Sequence, residues 1–230
     1  MRPPSAFPFD TVSKRAQLTR WVALALVYGI LGKLGNLFPF IPPSISLIWL
    51  PAGVATAALI RWGAIMSPAI FFSALIINLS NAINPWIAAI MALGSTLGPF
   101  VIQWDLKRAH FDGDFLHRDD VIKFVVATLV GMIIPATLGS VSLWQLSKLP
   151  DLKFAWISWW SADIVGVFLV TPIILALQSH QFVKVKAQAK ENLLFLLTFS
   201  ITHWLIFCYQ NSTITISKIN ILVTTMKVIS

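Results

Sequence analysis

One acid and one base each lie inside an otherwise uncharged apolar run. Residues 156–172 read W-I-S-W-W-S-A-D-I-V-G-V-F-L-V-T-P, with Asp163 as the only charge. Residues 21–38 carry Lys33 in the same way. A charge near the centre of a bilayer costs roughly 2.5–3.5 kcal/mol on insertion scales, so such groups face a bundle interior or a wet cavity and have partners. At 1.5 Å per residue, Lys33 lies about 18 Å along its helix from the inner side. Asp163, in a helix running the other way, lies about 16–18 Å from that side of a core about 30 Å thick. The shared depth predicts a Lys33–Asp163 ion pair. The competing expectation is that Lys33 snorkels outward while Asp163 bonds to hydroxyls, amides or water.

Aromatic and amide side chains gather near the acid. Trp159 and Trp160 precede Asp163 by about one turn or less and Trp156 by about two, and Trp49 opens another apolar block from the same side. An interfacial aromatic belt explains such tryptophans. So does an outward-facing pocket walled by Trp49, Trp159 and Trp160, with Asp163 at its base, since small-ligand sites are mostly apolar with a few polar anchors. Asn36, Asn78, Asn81 and Asn84 fall on the same side and either line that pocket or serve turns and helix ends. The candidate ligand-binding set is Asp163, Trp159, Trp160, Trp49, Lys33 and Asn78. Nothing resembles a catalytic constellation: no serine-nucleophile motif, H-E-x-x-H or phosphate loop occurs. His203 and Cys208, five apart, point about 140° from one another on a helix. No enzyme, cofactor or metal site is expected.

The elements that must position these residues are membrane helices. Hydrophobic residues make up 57% of the chain and charged residues 11%, against roughly 25% charged in soluble domains. Apolar blocks fall at residues 21–38, 46–62, 64–79, 85–104, 121–144, 154–178 and 193–209, with a weak eighth at 213–230. Their lengths suit a bilayer, and none alternates as a membrane β-strand does. The expected fold is all-α, a polytopic bundle of seven to eight transmembrane helices over residues 21–230, preceded by a cytoplasmic tail over 1–20. Lysines and arginines in the links divide twelve to one side and two to the other, which places the N-terminus in the cytoplasm. The net charge of +8 then reports topology rather than nucleic-acid binding, for which no motif is present.

Other features have plainer readings. The tail is polar and basic, and the first block lacks a small-residue cleavage site, so that block reads as a retained helix rather than a signal peptide. The single cysteine forms no intrachain disulfide. Residues 105–120 hold five aspartates, but D-G-D lacks calcium-loop spacing, and a solvated loop is expected. Gly29, Gly32 and Gly35, and the G-x-x-x-G of Gly94 and Gly98, suit close helix packing in lipid. Pro51, Pro99, Pro135 and Pro172 suggest local irregularity. No internal repeat of a transporter kind is visible.

Four ordered stretches resemble the bacterial membrane-associated sensor domain of the first type (MASE). They are S-L-I-W-L-P-A-G-V-A-T-A-A-L-I-R-W-G at 46–63, P-A-I-F-F-S-A-L-I-I-N-L at 68–79, I-I-P-A-T-L-G-S-V at 133–141, and the run around Asp163. The resemblance is strongest over 21–178. It implies an integral-membrane sensory module of about eight helices in a bacterial inner membrane. Trp49, Pro51, Gly53, Asn78, Trp159, Asp163, Gly166 and Pro172 match the family pattern, with Pro51, Gly53, Gly166 and Pro172 as its structural motif. The chain reads W-L-P-A-G where the family often has W-P-P-x-G, and A-D where it often has G-D. Beyond about Tyr209 the resemblance stops and the usual output domain does not follow. The expected partners are therefore the lipid bilayer and a cytoplasmic kinase or cyclic-di-nucleotide enzyme, supplied by another chain or lost by truncation. A second copy of the chain is a further candidate partner. A transporter or transporter subunit for a small solute is the alternative, because buried ionisable residues and interrupted helices also mark substrate paths.

Overall fold

The computed structural model describes residues 13–37, 39–41, 45–46, 48–81, 83–111, 113, 115, 117–146 and 151–178. The seventh and eighth apolar blocks, with His203 and Cys208, lie outside the described residues. The described part is a helical bundle with one short antiparallel pair. Its elements are α1 (Lys14–Asn36), β1 (Pro39–Ile41), β2 (Ile45–Ser46), α2 (Leu50–Trp62), a 3-10 turn (Ala64–Met66), α3 (Ser67–Ser80), α4 (Pro85–Arg108), α5 (Arg118–Gly131), α6 (Ile133–Gln145) and α7 (Leu152–Gln178). In β1–β2, Pro39 pairs with Ser46 and Ile41 with Ile45, with an irregularity between them.

Among the described residues, four helical stretches are long and apolar enough to cross a membrane: Lys14–Asn36, Pro85–Arg108, Arg118–Gln145 and Leu152–Ala176. The second and third apolar blocks fold as shorter helices, α2 of 13 residues and α3 of 14. Pro51 fixes where α2 begins: with no N–H to offer a preceding turn, it sits in the helix's first turn. The chain enters α2 from non-helical residues 48–49, and the Trp49 N–H donates to the Ala162 carbonyl of α7 at 3.0 Å. Every residue from Pro51 to Ile60 is buried, as expected of a helix apolar on all sides.

Small residues set the two closest crossings. Gly53 of α2 lies on Gly166 of α7, where an added Cβ would stand 2.2 Å from the Gly166 oxygen. The Thr171 hydroxyl of α7 donates to the Gly53 carbonyl at 2.9 Å. Gly94 and Gly98 of α4 receive α6, with an added Cβ at Gly98 2.8 Å from Pro135 and 3.1 Å from the Gly131 oxygen. The G-x-x-x-G thus serves helix packing. The fifth block is two helices because Pro135 has no N–H for the Gly131 carbonyl. The indole of Trp160 donates to the nearby Leu129 carbonyl at 3.0 Å, satisfying a polar group that lipid would not. Buried hydroxyls of Thr56, Ser73, Thr96, Thr128 and Ser140 each donate to the carbonyl four residues earlier, so they are spent within their own helices.

Basic residues mark one end of the bundle. Arg20 lies over the Trp62 ring at 5.6 Å, and the Trp21 indole donates to the Ile65 carbonyl at 3.1 Å. Arg108 stacks on Trp104 at 3.6 Å. The α4–α5 link is less solvated than its aspartates suggest. Phe111 is buried, and Phe111, Phe115 and Phe124 form an aromatic cluster that Phe168 joins through Phe124. Asp120 is buried and pairs with Lys123 at 2.9 Å. No metal-holding group of three or more His, Cys, Asp or Glu occurs among the described residues.

Candidate functional site

At the end remote from those basic residues, six segments converge on a cavity of about 30 Å³. Asn36 comes from the end of α1, Ser46 from β2 and Trp49 from the entry to α2. Asn78 and Asn81 come from the end of α3, Met91 and Ser95 from α4, and Trp159 and Ala162 from α7. The polar groups of the rim are partly engaged. The Asn78 amide donates to the Ala88 carbonyl at 3.3 Å, and the Ser46 hydroxyl to the Gly35 carbonyl at 2.7 Å. The Asn36 Nδ2 is buried without a hydrogen-bond partner among the described residues. Asn84 stands apart as an exposed helix cap, accepting from the Trp86 N–H at 3.0 Å.

Asp163, 2% exposed, follows the lining residue Ala162 on α7 but is not itself among the residues that line the cavity. It forms no hydrogen bond or ion pair with any described residue. Tyr28 of α1, 1% exposed, is buried near Ser95 and Trp49, both of which line the cavity.

The expected Lys33–Asp163 pair is not made. Lys33 is exposed, and its Nζ donates to Ser80 Oγ at the end of α3. Depth had suggested the pair, but angle decides it. The core face of α1 carries Leu24, Tyr28 and Gly32, and Lys33 is about 140° round the helix from Tyr28. Lys33→Met is accordingly expected to move the thermal unfolding midpoint in detergent by no more than about 2 °C, the scale of an exposed substitution. A much larger fall would restore the ion pair.

Trp160 also leaves the candidate set. It stacks on Trp156 at 5.8 Å and faces α5 through its bond to Leu129. Trp156 itself donates to Thr137 Oγ1 at 2.9 Å. Trp159 and Trp160 are adjacent, hence about 100° apart on the helix, and only Trp159 reaches the cavity. Of the candidates, Trp49, Asn78 and Trp159 line it, and Asp163, next to Ala162 on α7, does not. The glycine stripe of α1 divides its uses: Gly32 packs against Ile77 of α3, Gly35 seats the Trp49 indole, where an added Cβ would stand 3.2 Å from the ring, and Gly29 has nothing within 4 Å. Tyr28, Ser46, Met91 and Ser95 were missed. Tyr28 carried a usable signal, being a hydroxyl inside an apolar block in helical register with Leu24 and Gly32.

The MASE1 family model matches residues 20–225, and the chain belongs to the MASE1 family, whose members are membrane-associated sensor domains. The match runs past Tyr209, so the family pattern extends through the weak eighth block, where the sequence motifs had stopped resembling it. No curated protein and no solved structure matches the chain.

Proposed function

We propose that this MASE1 chain is the sensory input module of a bacterial signal-transduction system, reading a small ligand or membrane cue through the cavity beside Asp163. The observation that carries this reading is a buried acid with no ion-pair partner among the described residues, one residue along α7 from the lining of a polar-rimmed cavity. An intramembrane ionisable group without a structural partner is retained at a cost, and function is the usual reason. The twelve-to-two division of basic residues supports an inner-membrane protein with a cytoplasmic N-terminus. In this topology α2, about 20 Å long, and α3 also cross together with their non-helical ends, which gives seven to eight crossings for the whole chain. The role is non-enzymatic, and the output is a cytoplasmic kinase or cyclic-di-nucleotide enzyme.

Coupling has a physical route. Trp159 and Ala162 belong to α7, Trp49 leads into α2, and these helices meet again at Gly53–Gly166 before α7 reaches the Phe124–Phe168 cluster. An occupant that favours one α2–α7 arrangement would bias that contact. In the source bacterium, Asp163→Asn at wild-type protein level is expected to reproduce the gene deletion in cyclic-di-nucleotide content and kinase output. Normal output in the variant would sink the proposal. Transport is the second reading, favoured by the α5–α6 break and by the prolines Pro99 and Pro172 inside α4 and α7. Solute uptake into vesicles that Asp163→Asn abolishes would decide for it.

A further inference from the structure

We infer that the corner where Arg20 of α1 lies over Trp62 of α2 binds an anionic phospholipid, with its phosphate on the guanidinium and one acyl chain along the flank of α1. This corner is at the basic end of the bundle, remote from the cavity, and does not depend on the sensory reading.

The charge balance of the first helices calls for an anion. Residues 11–104 contain no aspartate or glutamate and carry five cations, Lys14, Arg15, Arg20, Lys33 and Arg61. Lys33 is turned to Ser80 at the other end. The remaining four gather in the first two turns of α1 and the last turn of α2. α1 packs on α2 and α3, and neither of those helices carries an acid. Lys14, Arg15 and Arg20 form no ion pair with any described residue. Arg20 lies over the Trp62 ring at 5.6 Å, which attracts a cation but adds no negative charge. The seat is well anchored. Trp21, next in sequence, donates to the Ile65 carbonyl at 3.1 Å, and both indoles pack against the buried core of α1, α2 and α3. A guanidinium over a ring keeps its N–H donors in its own plane, ready to grip a phosphate with two parallel bonds.

Position and apolar surroundings identify that phosphate as a lipid's. Arg20 immediately precedes Trp21, where the first apolar run begins, and arginine beside tryptophan suits headgroup level. Val27 and Leu31 come seven and eleven residues later, within about 20° of Arg20 around the helix and about 10 and 16 Å along it. Val27 is exposed and Leu31 half-buried. This row reaches across about half of a hydrocarbon core about 30 Å thick. A soluble phosphate would leave it unused. The headgroup is anionic rather than zwitterionic. The amine of a phosphatidylethanolamine needs an acid beside the phosphate, and α1, α2 and α3 supply only further cations, Arg61 among them.

The test is native mass spectrometry of the full-length chain, delipidated in detergent and titrated with phosphatidylglycerol or phosphatidylethanolamine of the same acyl chains. The wild type is expected to bind its first phosphatidylglycerol at least about tenfold more tightly than its first phosphatidylethanolamine. Arg20→Gln should lose about tenfold in phosphatidylglycerol affinity, the worth of one charge-assisted hydrogen bond. Lys33→Gln removes the same charge at the other end and should leave that affinity unchanged. Arg61→Gln keeps the Arg20–Trp62 contact and should also weaken phosphatidylglycerol binding, so it carries the test if Arg20→Gln fails to fold. Equal affinities for the two lipids in monodisperse wild-type protein overturn the inference, as does an unchanged lipid preference in whichever arginine variant folds. An equal loss in Lys33→Gln overturns it in favour of net charge alone. Displacement of phosphatidylglycerol by soluble glycerol 3-phosphate overturns it in favour of a site for free phosphates.

Discussion

Gly166→Val should prevent the chain from accumulating as a stable folded protein. A Cβ at Gly166 would stand 1.9 Å from the Trp49 carbonyl oxygen and 2.6 Å from its carbon. Across the same contact, a Cβ at Gly53 would stand 2.2 Å from the Gly166 oxygen. The obstructing atoms are backbone, so no rotamer change relieves them, and α2 must back away as a body. That retreat would break the Trp49–Ala162 bond of 3.0 Å and the Thr171–Gly53 bond of 2.9 Å. Overpacking of this kind costs about 1–3 kcal/mol, and two lost hydrogen bonds add about 1 kcal/mol each. The total, about 4 kcal/mol, corresponds to a fall of about 10 °C or more in the unfolding midpoint for a chain of this size. Gly29→Val supplies the control, because nothing lies within 4 Å of a Cβ there. It should unfold within about 2 °C of the wild type. Equal midpoints for Gly29→Val and Gly166→Val, measured on detergent-solubilised protein, would show that the α2–α7 crossing is not as close as described.

That crossing also marks how far the sequence could be read. Hydrophobic runs found the six described helical blocks, because apolarity reports what lipid or core will accept. They did not find helix ends. α1 starts at Lys14, seven residues before its apolar block, and α4 runs on to Arg108, since a membrane helix continues into water for as long as its residues favour it. The break between α5 and α6 was legible in Pro135 only as irregularity. Resolving it into two helices requires knowing that Trp160 satisfies the Leu129 carbonyl, a long-range contact. The site was half legible for a similar reason. Spacing and depth give one coordinate along the bilayer normal, which put Trp49, Asn78, Trp159 and Asp163 at a common level. The angle around each helix depends on which neighbour it packs against. Lys33 and Trp160 fall on the same side of the bilayer and fail on the angle. The family resemblance singled out Gly53 and Gly166, but only their crossing gives those two glycines a physical reason.

Gly139→Ala should do the opposite of Gly166→Val, sparing the fold and removing the site. A Cβ at Gly139 of α6 would stand 2.5 Å from Cη2 and Cζ2 of Trp159 and 2.8 Å from its Cε2. Here the obstruction is the far edge of a side chain, which can tilt. Trp159 lines the cavity, and a ring pressed from α6 has that space to move into. A volume of about 30 Å³ is no larger than a few ring atoms, so a modest tilt fills it. The variant should lose no more than about 1–3 kcal/mol of stability while binding and signalling fall at least about tenfold, equivalent to about 1.4 kcal/mol. Loss of function through general destabilisation predicts a different pattern. Trp159→Phe shortens the ring and returns space without repairing any other contact of α6. In the double variant, a steric cause requires recovery of the response toward that of Trp159→Phe alone, a non-additive interaction between touching residues. Additive losses in the double variant would mean that Gly139 matters to α6–α7 packing and that the cavity beside Asp163 is not the place where the signal is read.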